Sequence, residues 1–111
     1  MDQLKYKSCI DACHECAVEC DHCTISCLQE KDVQNMIKCI ELNIYCADMC
    51  RQVIRFLSLG DDHFADSICN LCAEICEACS VECSKYPHDH CQRCATVCMQ
   101  CAEECRSMIA A

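Results

Sequence analysis

The cysteines of this 111-residue chain recur at intervals of three and four residues, and this spacing limits the fold more than any other feature. Nineteen residues are Cys, in four groups along the chain. The groups are Cys9, Cys13, Cys16, Cys20, Cys23 and Cys27; Cys39, Cys46 and Cys50; Cys69, Cys72, Cys76, Cys79 and Cys83; and Cys91, Cys94, Cys98, Cys101 and Cys105. The steps alternate between three and four residues in the first, third and fourth groups and are seven and four in the second, which places each group on one stripe of an α-helix, at the a and d positions of a heptad.

The breaks between the cysteine groups predict four helices joined by short connections. We expect the helices to span residues 3–29, 33–58, 62–85 and 88–108. Asp32 is expected to cap the second helix, and Asp61 or Asp62 the third. Gly60 suits the end of the second helix, and Pro87 the start of the fourth. Four helices of similar length with short connections predict an up-down-up-down bundle.

Composition agrees with this architecture and disfavours two classes of binding partner. One Gly and one Pro supply too few turn residues for a β-rich fold, and a formal charge of −9 disfavours both nucleic acid and an anionic membrane surface. No apolar run approaches a membrane span, and the N-terminal residues lack a signal-peptide pattern, so we expect a cytoplasmic protein with reduced thiols. We predict an all-α four-helix bundle with a Cys-lined core, forming one domain over residues 1–111.

Packing and disulfides do not explain nineteen cysteines. Thiols bury less apolar area than Leu or Ile, and an odd number excludes complete internal pairing. Two thiolates one helical turn apart suit Cu(I), a soft ion, and one monovalent ion per thiolate neutralises the buried charge. We therefore expect a non-enzymatic store that holds multiple Cu(I) ions per chain on all nineteen cysteines.

Two alternatives stay open at this point. A zinc- or cadmium-sequestering bundle would use four converging thiolates for each divalent ion, which leaves each zinc site with a net charge of about −2. A redox protein would form reversible disulfides instead of binding metal. A ferredoxin-type cluster is disfavoured because its cysteine run is absent from the sequence.

Four other residues are candidate copper ligands: His88, His90, Met36 and Asn43. The two histidines flank the start of the fourth helix beside Cys91, where imidazole could act as a transient ligand for entering ions. Met36 and Asn43 lie on the stripe of the second helix. Core filling explains Met36 as readily as copper binding does, and a structural hydrogen bond explains Asn43 equally well.

The end of the bundle opposite the histidines is expected to be closed by apolar side chains. These are Leu4, Val53, Leu57, Phe64, Met108 and Ile109. The second helix is also apolar beyond its cysteine stripe, at Ile37, Ile40, Leu42, Ile44, Tyr45, Met49, Ile54 and Phe56. A helix that is apolar all round is usually buried, which predicts a homo-oligomer that packs through this helix.

Repeated Cys-x-x-x-Cys pairs, such as Cys9/Cys13 and Cys101/Cys105, occur on every predicted helix. In a chain of this length they resemble the bacterial cytosolic copper storage proteins, and the resemblance covers essentially the whole sequence. It implies a homotetramer of four-helix bundles whose core thiolates hold many Cu(I) ions for copper homeostasis or detoxification. It also implies that all nineteen cysteines are ligands, and some members of the family carry His at the open end of the bundle.

Overall fold

The computed structural model describes residues 3–60 and 62–110, with side chains described for 6–60 and 62–109. The helices are α1 (Gln3–Leu28), α2 (Ile37–Ser58), α3 (Ala65–Cys83) and α4 (Asp89–Ala110), and a single 3-10 turn, Val33–Met36, precedes α2. The cysteines of α1, α3 and α4 alternate at steps of three and four residues and those of α2 are seven and four apart, so each set directs one helix face inward. The predicted all-α four-helix bundle is therefore confirmed.

The four helices pack side by side in an elongated bundle. α1 packs against α2 and α4, and α3 packs against the same two helices. The described chain measures 49 × 20 × 18 Å along its principal axes. Because consecutive helices alternate in direction, the α1–α2 and α3–α4 connections meet at one end, which we call the histidine end because it carries His88 and His90. The α2–α3 connection lies at the other end, which we call the closed end.

The start of α2 differs from the prediction. α2 begins at Ile37 because residues 33–36 wind as a tighter 3-10 turn. Asp32 makes no side-chain hydrogen bond to the backbone of this turn, so its expected role as a cap was wrong. Its Oδ1 instead lies 3.2 Å from Nε2 of His88, and this contact across the histidine end occupies the carboxylate.

The start of α3 also differs from the prediction. α3 begins at Ala65 with Phe64 in the cap position, so Asp62 does not cap it. The Asp62 carboxylate instead accepts a 2.6 Å hydrogen bond from the hydroxyl of Tyr6, and Asp61 lies outside the described residues. Gly60 has a φ of +75° after the end of α2, a conformation that favours glycine, so its predicted role is confirmed.

The other predicted boundaries are close to the observed ones. α1 ends one residue earlier than expected, at Leu28, and α3 ends two residues earlier, at Cys83. α4 begins at Asp89, one residue later than expected, and Pro87 precedes it as predicted.

The closed end is mostly apolar, as predicted. Val53 and Leu57 are fully buried, and Met108 and Ile109 pack against the core. Phe64 does not contribute to this apolar closure, because the residue precedes the first turn of α3 and its side chain is 61% exposed. The side chain of Leu4 lies outside the described residues.

The apolar residues of α2 divide between the core and the surface of the chain. Ile40 is buried, and Leu42, Met49 and Ile54 pack against the core. On the outer face, three large side chains are about half exposed: Ile37, Ile44 and Tyr45. Among the described helices, none is both long enough and apolar enough to cross a membrane.

Candidate metal centre

All nineteen cysteines fall within the described residues, and each carries a buried free thiol. Even the most accessible, Cys9, is only 2% exposed. Thiols from all four helices therefore converge on the axis of the bundle, where Leu and Ile would form the core of an ordinary helical protein. The predicted Cys-lined core is confirmed.

The sulfur atoms lie within a few ångströms of one another, both across helices and along them. The Sγ atoms of Cys39 and Cys83 are 3.1 Å apart, and those of Cys46 and Cys76 are 3.4 Å apart. On α3, the Sγ atoms of Cys72 and Cys76 are 3.7 Å apart, one helical turn from each other. One soft ion could therefore bind two thiolates of one helix or of two neighbouring helices.

Several sets of four cysteines place all their Sγ atoms within 4.8 Å of one another. These sets are Cys13, Cys72, Cys101 and Cys105; Cys16, Cys50, Cys76 and Cys101; Cys16, Cys20, Cys46 and Cys98; and Cys20, Cys79, Cys94 and Cys98. Successive sets share members: Cys101 belongs to two, and so does Cys16. The sulfurs thus form a continuous column, which suits thiolates that bridge successive ions better than isolated four-thiolate zinc sites.

At the histidine end, the column finishes in a mixed group of sulfur and nitrogen atoms. The Nδ1 atom of His90 lies 3.5 Å from Sγ of Cys23, 3.6 Å from that of Cys91 and 4.0 Å from that of Cys27. All four ligand atoms lie within 4.8 Å of one another. The structure therefore brings His90 to the thiols, as the sequence predicted.

His88 occupies a different position from His90. Its Nδ1 lies 3.4 Å from Oε2 of Glu30 and its Nε2 lies 3.2 Å from Oδ1 of Asp32, so both ring nitrogens face carboxylates. Its ring stacks on that of His90, with centroids 5.4 Å apart and planes 4° apart. His88 thus lies one layer farther from the sulfur column than His90.

Two thiols of the histidine end, those of Cys27 and Cys91, are held in their protonated form. Burial raises the pKa of Cys27 far above the ordinary thiol range, and the neighbouring Cys23 sulfur adds to this effect. Burial likewise raises the pKa of Cys91 to about 12. For His90, burial opposes protonation, but the contacts with Cys23 and Glu30 outweigh it and raise the pKa of the ring. A metal ion that binds Cys27 or Cys91 must displace the proton of that thiol.

Asn43 and Met36 are both fully buried. The Oδ1 atom of Asn43 accepts hydrogen bonds from the thiols of Cys79 at 3.1 Å, Cys94 at 3.3 Å and Cys83 at 3.4 Å. This amide therefore has the partners that a buried polar group needs. Its oxygen also lies among sulfurs that belong to the column, so a copper ion there would be within its reach.

Sequence reasoning missed the carboxylates of the histidine end. Glu30 and Asp32 belong to a charged stretch whose sequence predicts only a connection between helices. Their partners lie about sixty residues away along the chain, so no local pattern reveals the contacts. Glu82 was also missed: it is 6% exposed, and the Tyr86 hydroxyl donates to it at 2.7 Å. This hydrogen bond lowers the pKa of Glu82 and braces the α3–α4 connection.

A four-helix bundle with a continuous column of buried free thiols defines a class of protein, the thiolate metal stores. Comparison with known proteins makes the class specific, because a family model described as "Copper storage protein" matches residues 2–110. The chain belongs to the copper storage protein family.

Solved structures of this family are similar over nearly the whole chain. The Cu(I)-bound copper storage protein BsCsp3 is 45% identical, with a TM-score of 0.90 over 95% of this chain and 98% of that one. A cytosolic copper storage protein from Streptomyces lividans is 33% identical, with a TM-score of 0.93 over 99% and 96% of the two chains. An uncharacterized cysteine-rich protein of Bacillus subtilis, YhjQ, is 47% identical over 82 residues, which are 74% of this chain and 75% of that protein.

Proposed function

We propose that this chain stores Cu(I) in the cytoplasm by binding many ions along its thiol column, as one domain over residues 1–111. The observation that carries this proposal is that neighbouring four-sulfur groups share cysteines, so that thiolates can bridge successive ions along the column. Related structures support it, since their names describe a Cu(I)-bound protein, a cytosolic protein with five coppers and one loaded with ten copper equivalents.

We propose all nineteen cysteines as copper ligands, with His90 as an additional ligand at the histidine end. The Nδ1 distances to three sulfurs support the role of His90. His88 is proposed as a transient ligand, because an ion must first separate its ring from Glu30 or Asp32. Asn43 is a candidate oxygen ligand through Oδ1, and Met36 is a candidate thioether ligand. Storage needs no turnover, so the proposed role is not enzymatic.

We further propose that the protein acts as a homo-oligomer, a tetramer by family likeness, which packs through α2. The half-exposed side chains of Ile37, Ile44 and Tyr45 support this proposal, because a second chain would bury them. Size measurement in solution, repeated after Ile44→Glu, tests it. Dissociation of the variant into smaller species is the expected result, whereas a monomeric wild-type chain would contradict the proposal.

Zinc sequestration and thiol redox chemistry are less well supported. Isolated four-thiolate zinc sites would need cysteines of their own, whereas here Cys16 and Cys101 each belong to two groups. A redox protein would need only a few thiols to form a reversible disulfide, so most of the nineteen would have no role. Neither alternative explains a column that runs through every helix.

Anaerobic titration with Cu(I), against a chromogenic Cu(I) competitor, tests the proposed function. We expect uptake on the order of one ion per cysteine, with the helical circular dichroism signal retained. In a parallel titration with Zn²⁺, saturation near one divalent ion per four cysteines, without uptake of Cu(I), would support zinc storage instead. A defined and reversible loss of thiols without metal would support the redox alternative.

A further inference from the structure

One carboxylate at the histidine end contacts both imidazole rings. Oε2 of Glu30 lies 2.8 Å from Nε2 of His90 and 3.4 Å from Nδ1 of His88. The His90 side chain is only 12% exposed, and that of Glu30 is 30% exposed. Storage of copper on thiolates does not by itself require a carboxylate at the histidine end, so the contacts of Glu30 with the two rings need their own explanation.

The position of the proton follows from the chemistry of the two groups. A carboxylate at neutral pH only accepts hydrogen bonds, so Nε2 of His90 must carry the hydrogen in the 2.8 Å contact. In the neutral ring, Nδ1 then has a free lone pair. That atom faces the sulfurs of Cys23 and Cys91, at 3.5 and 3.6 Å. The side of the ring that can bind metal is therefore the side that faces the thiols.

We propose that Glu30 is the positioning residue of the copper entry site. It holds His90 in the Nε2–H tautomer and fixes the orientation of the ring, so that an arriving Cu(I) ion meets Nδ1 together with the thiols of Cys23 and Cys91. A carboxylate that orients a metal-binding imidazole in this way also raises its basicity as a ligand. This inference rests on the proposed function, because it assigns a role within copper uptake.

The surroundings of Glu30 limit the movement of the His90 ring. His88 stacks on it at 5.4 Å with nearly parallel planes, and Asp32 holds Nε2 of His88 at 3.2 Å. The two rings and two carboxylates thus form a layer across the histidine end. Within this layer, Glu30 contacts the ring that reaches the sulfurs, whereas Asp32 contacts the outer ring.

Three variants of the full-length chain separate positioning from simple charge attraction. Glu30→Ala removes both the charge and the hydrogen-bond acceptor. Glu30→Gln removes the charge but keeps an amide oxygen that can accept from Nε2. Asp89→Ala, the matched control, removes one negative charge from an exposed side chain in the first turn of α4.

The first measurement uses the metal-free protein. Two-dimensional ¹⁵N–¹H NMR of the imidazole nitrogens, at a pH where His90 is neutral, reports which nitrogen carries the hydrogen. We expect the Nε2–H form in the wild type, the Glu30→Gln variant and the control, and a mixture of both tautomers in Glu30→Ala. A merely structural role for Glu30 would leave the tautomer unchanged.

The second measurement is the rate of Cu(I) transfer from a chelated Cu(I) donor under anaerobic stopped-flow conditions. Loss of a group that orients a metal ligand costs about 10–100-fold in metal affinity or activity, so we expect Glu30→Ala to load at least about tenfold more slowly. Glu30→Gln should recover most of the rate, and all the variants should reach the wild-type capacity. Circular dichroism confirms that each variant is folded.

The outcomes distinguish the two proposals. If wild-type protein takes up Cu(I) but Glu30→Ala keeps the Nε2–H tautomer and the wild-type rate, the positioning role is overturned alone. Equal slowing in Asp89→Ala and Glu30→Gln would overturn it in favour of charge attraction. A wild-type chain that binds no Cu(I) would overturn the storage function and the entry role together, whatever the tautomer of His90.

Discussion

The Sγ atoms of Cys39 on α2 and Cys83 on α3 lie 3.1 Å apart, the shortest sulfur–sulfur contact within the described residues. Asn43 links the same pair, because its Nδ2 contacts Cys39 and its Oδ1 accepts a hydrogen bond from Cys83. The two thiols are therefore held together at the histidine end before any ion arrives. This preformed pair, with one sulfur from each of two helices, is suited to share an ion.

Cysteine replacements at opposite ends of the column should differ in their effect on kinetics. Cys83→Ser at the histidine end should lower the capacity by about one ion and slow the initial phase of loading. Cys69→Ser, near the start of α3 at the other end, should lower the capacity similarly but leave the initial rate unchanged. Stopped-flow loading and competitor titration measure both quantities. Equal slowing by the two variants would contradict entry through the histidine end.

Copper loading should stabilise the fold. Ions bound by the native column stabilise it by mass action, by about 2.7 kcal/mol for each independent site when free ligand is about 100 times its Kd. We expect the melting temperature to rise with each added equivalent under anaerobic conditions, as followed by the helical circular dichroism signal. An unchanged melting temperature at full loading would show that the ions bind the folded and the unfolded chain equally well, which contradicts a preformed site in the core.

Leu57→Ala should destabilise the metal-free bundle. Leu57 is 1% exposed, and removing a buried Leu side chain costs about 2–5 kcal/mol through lost burial and the remaining cavity. Urea unfolding in a reducing buffer measures this loss, while the capacity for Cu(I) should not change. Leu59→Ala is the matched control, because Leu59 is 73% exposed and its replacement should cost less than about 0.5 kcal/mol.

Alkaline pH should destabilise the metal-free protein. Burial raises the pKa of Cys91 from 9.0 to about 12, so the folded state retains a proton that the unfolded state loses. The corresponding stability is fully present below pH 9.0 and is lost as the pH rises towards about 12. Urea unfolding across this window measures the loss, and Cys91→Ala should make it smaller. A free energy of unfolding that does not change with pH would contradict the assigned pKa.

Copper uptake should release protons. Thiols such as Cys27 and Cys91 are protonated at neutral pH because burial raises their pKa, and each must lose its proton to bind Cu(I) as a thiolate. In a weakly buffered anaerobic solution, a pH indicator should report proton release in step with loading. The apparent affinity should fall as the pH is lowered. Uptake without proton release would mean that the ions bind to other groups.

The helices and the cysteine column could be predicted because they follow from short-range periodicity. A step of three or four residues fixes both the helix and the face that carries the thiols, so the inward direction of Cys9 or Cys105 is already contained in the sequence. The apolar closure by Val53 and Leu57 follows from the same pattern. These features need no knowledge of how the connections fold.

The histidine end could not be predicted in the same way, because its contacts join residues that are distant in the sequence. Asp32 has the residue type and position of a helix cap, yet its carboxylate binds His88. Asp62 likewise binds Tyr6 instead of capping α3. In both cases, a side-chain partner from another part of the chain competes with the local backbone, and sequence spacing does not reveal that partner.

Val53 and Leu57 fill one end of the bundle with hydrocarbon, so the proposed entry of ions is expected at the other end. If the column fills and empties on the same side, the last ion to arrive is expected to be the first to leave. Copper near Cys27 would then exchange readily with the surroundings, whereas copper deep in the column near Cys105 would form a slow reserve, released only after the outer layers have emptied.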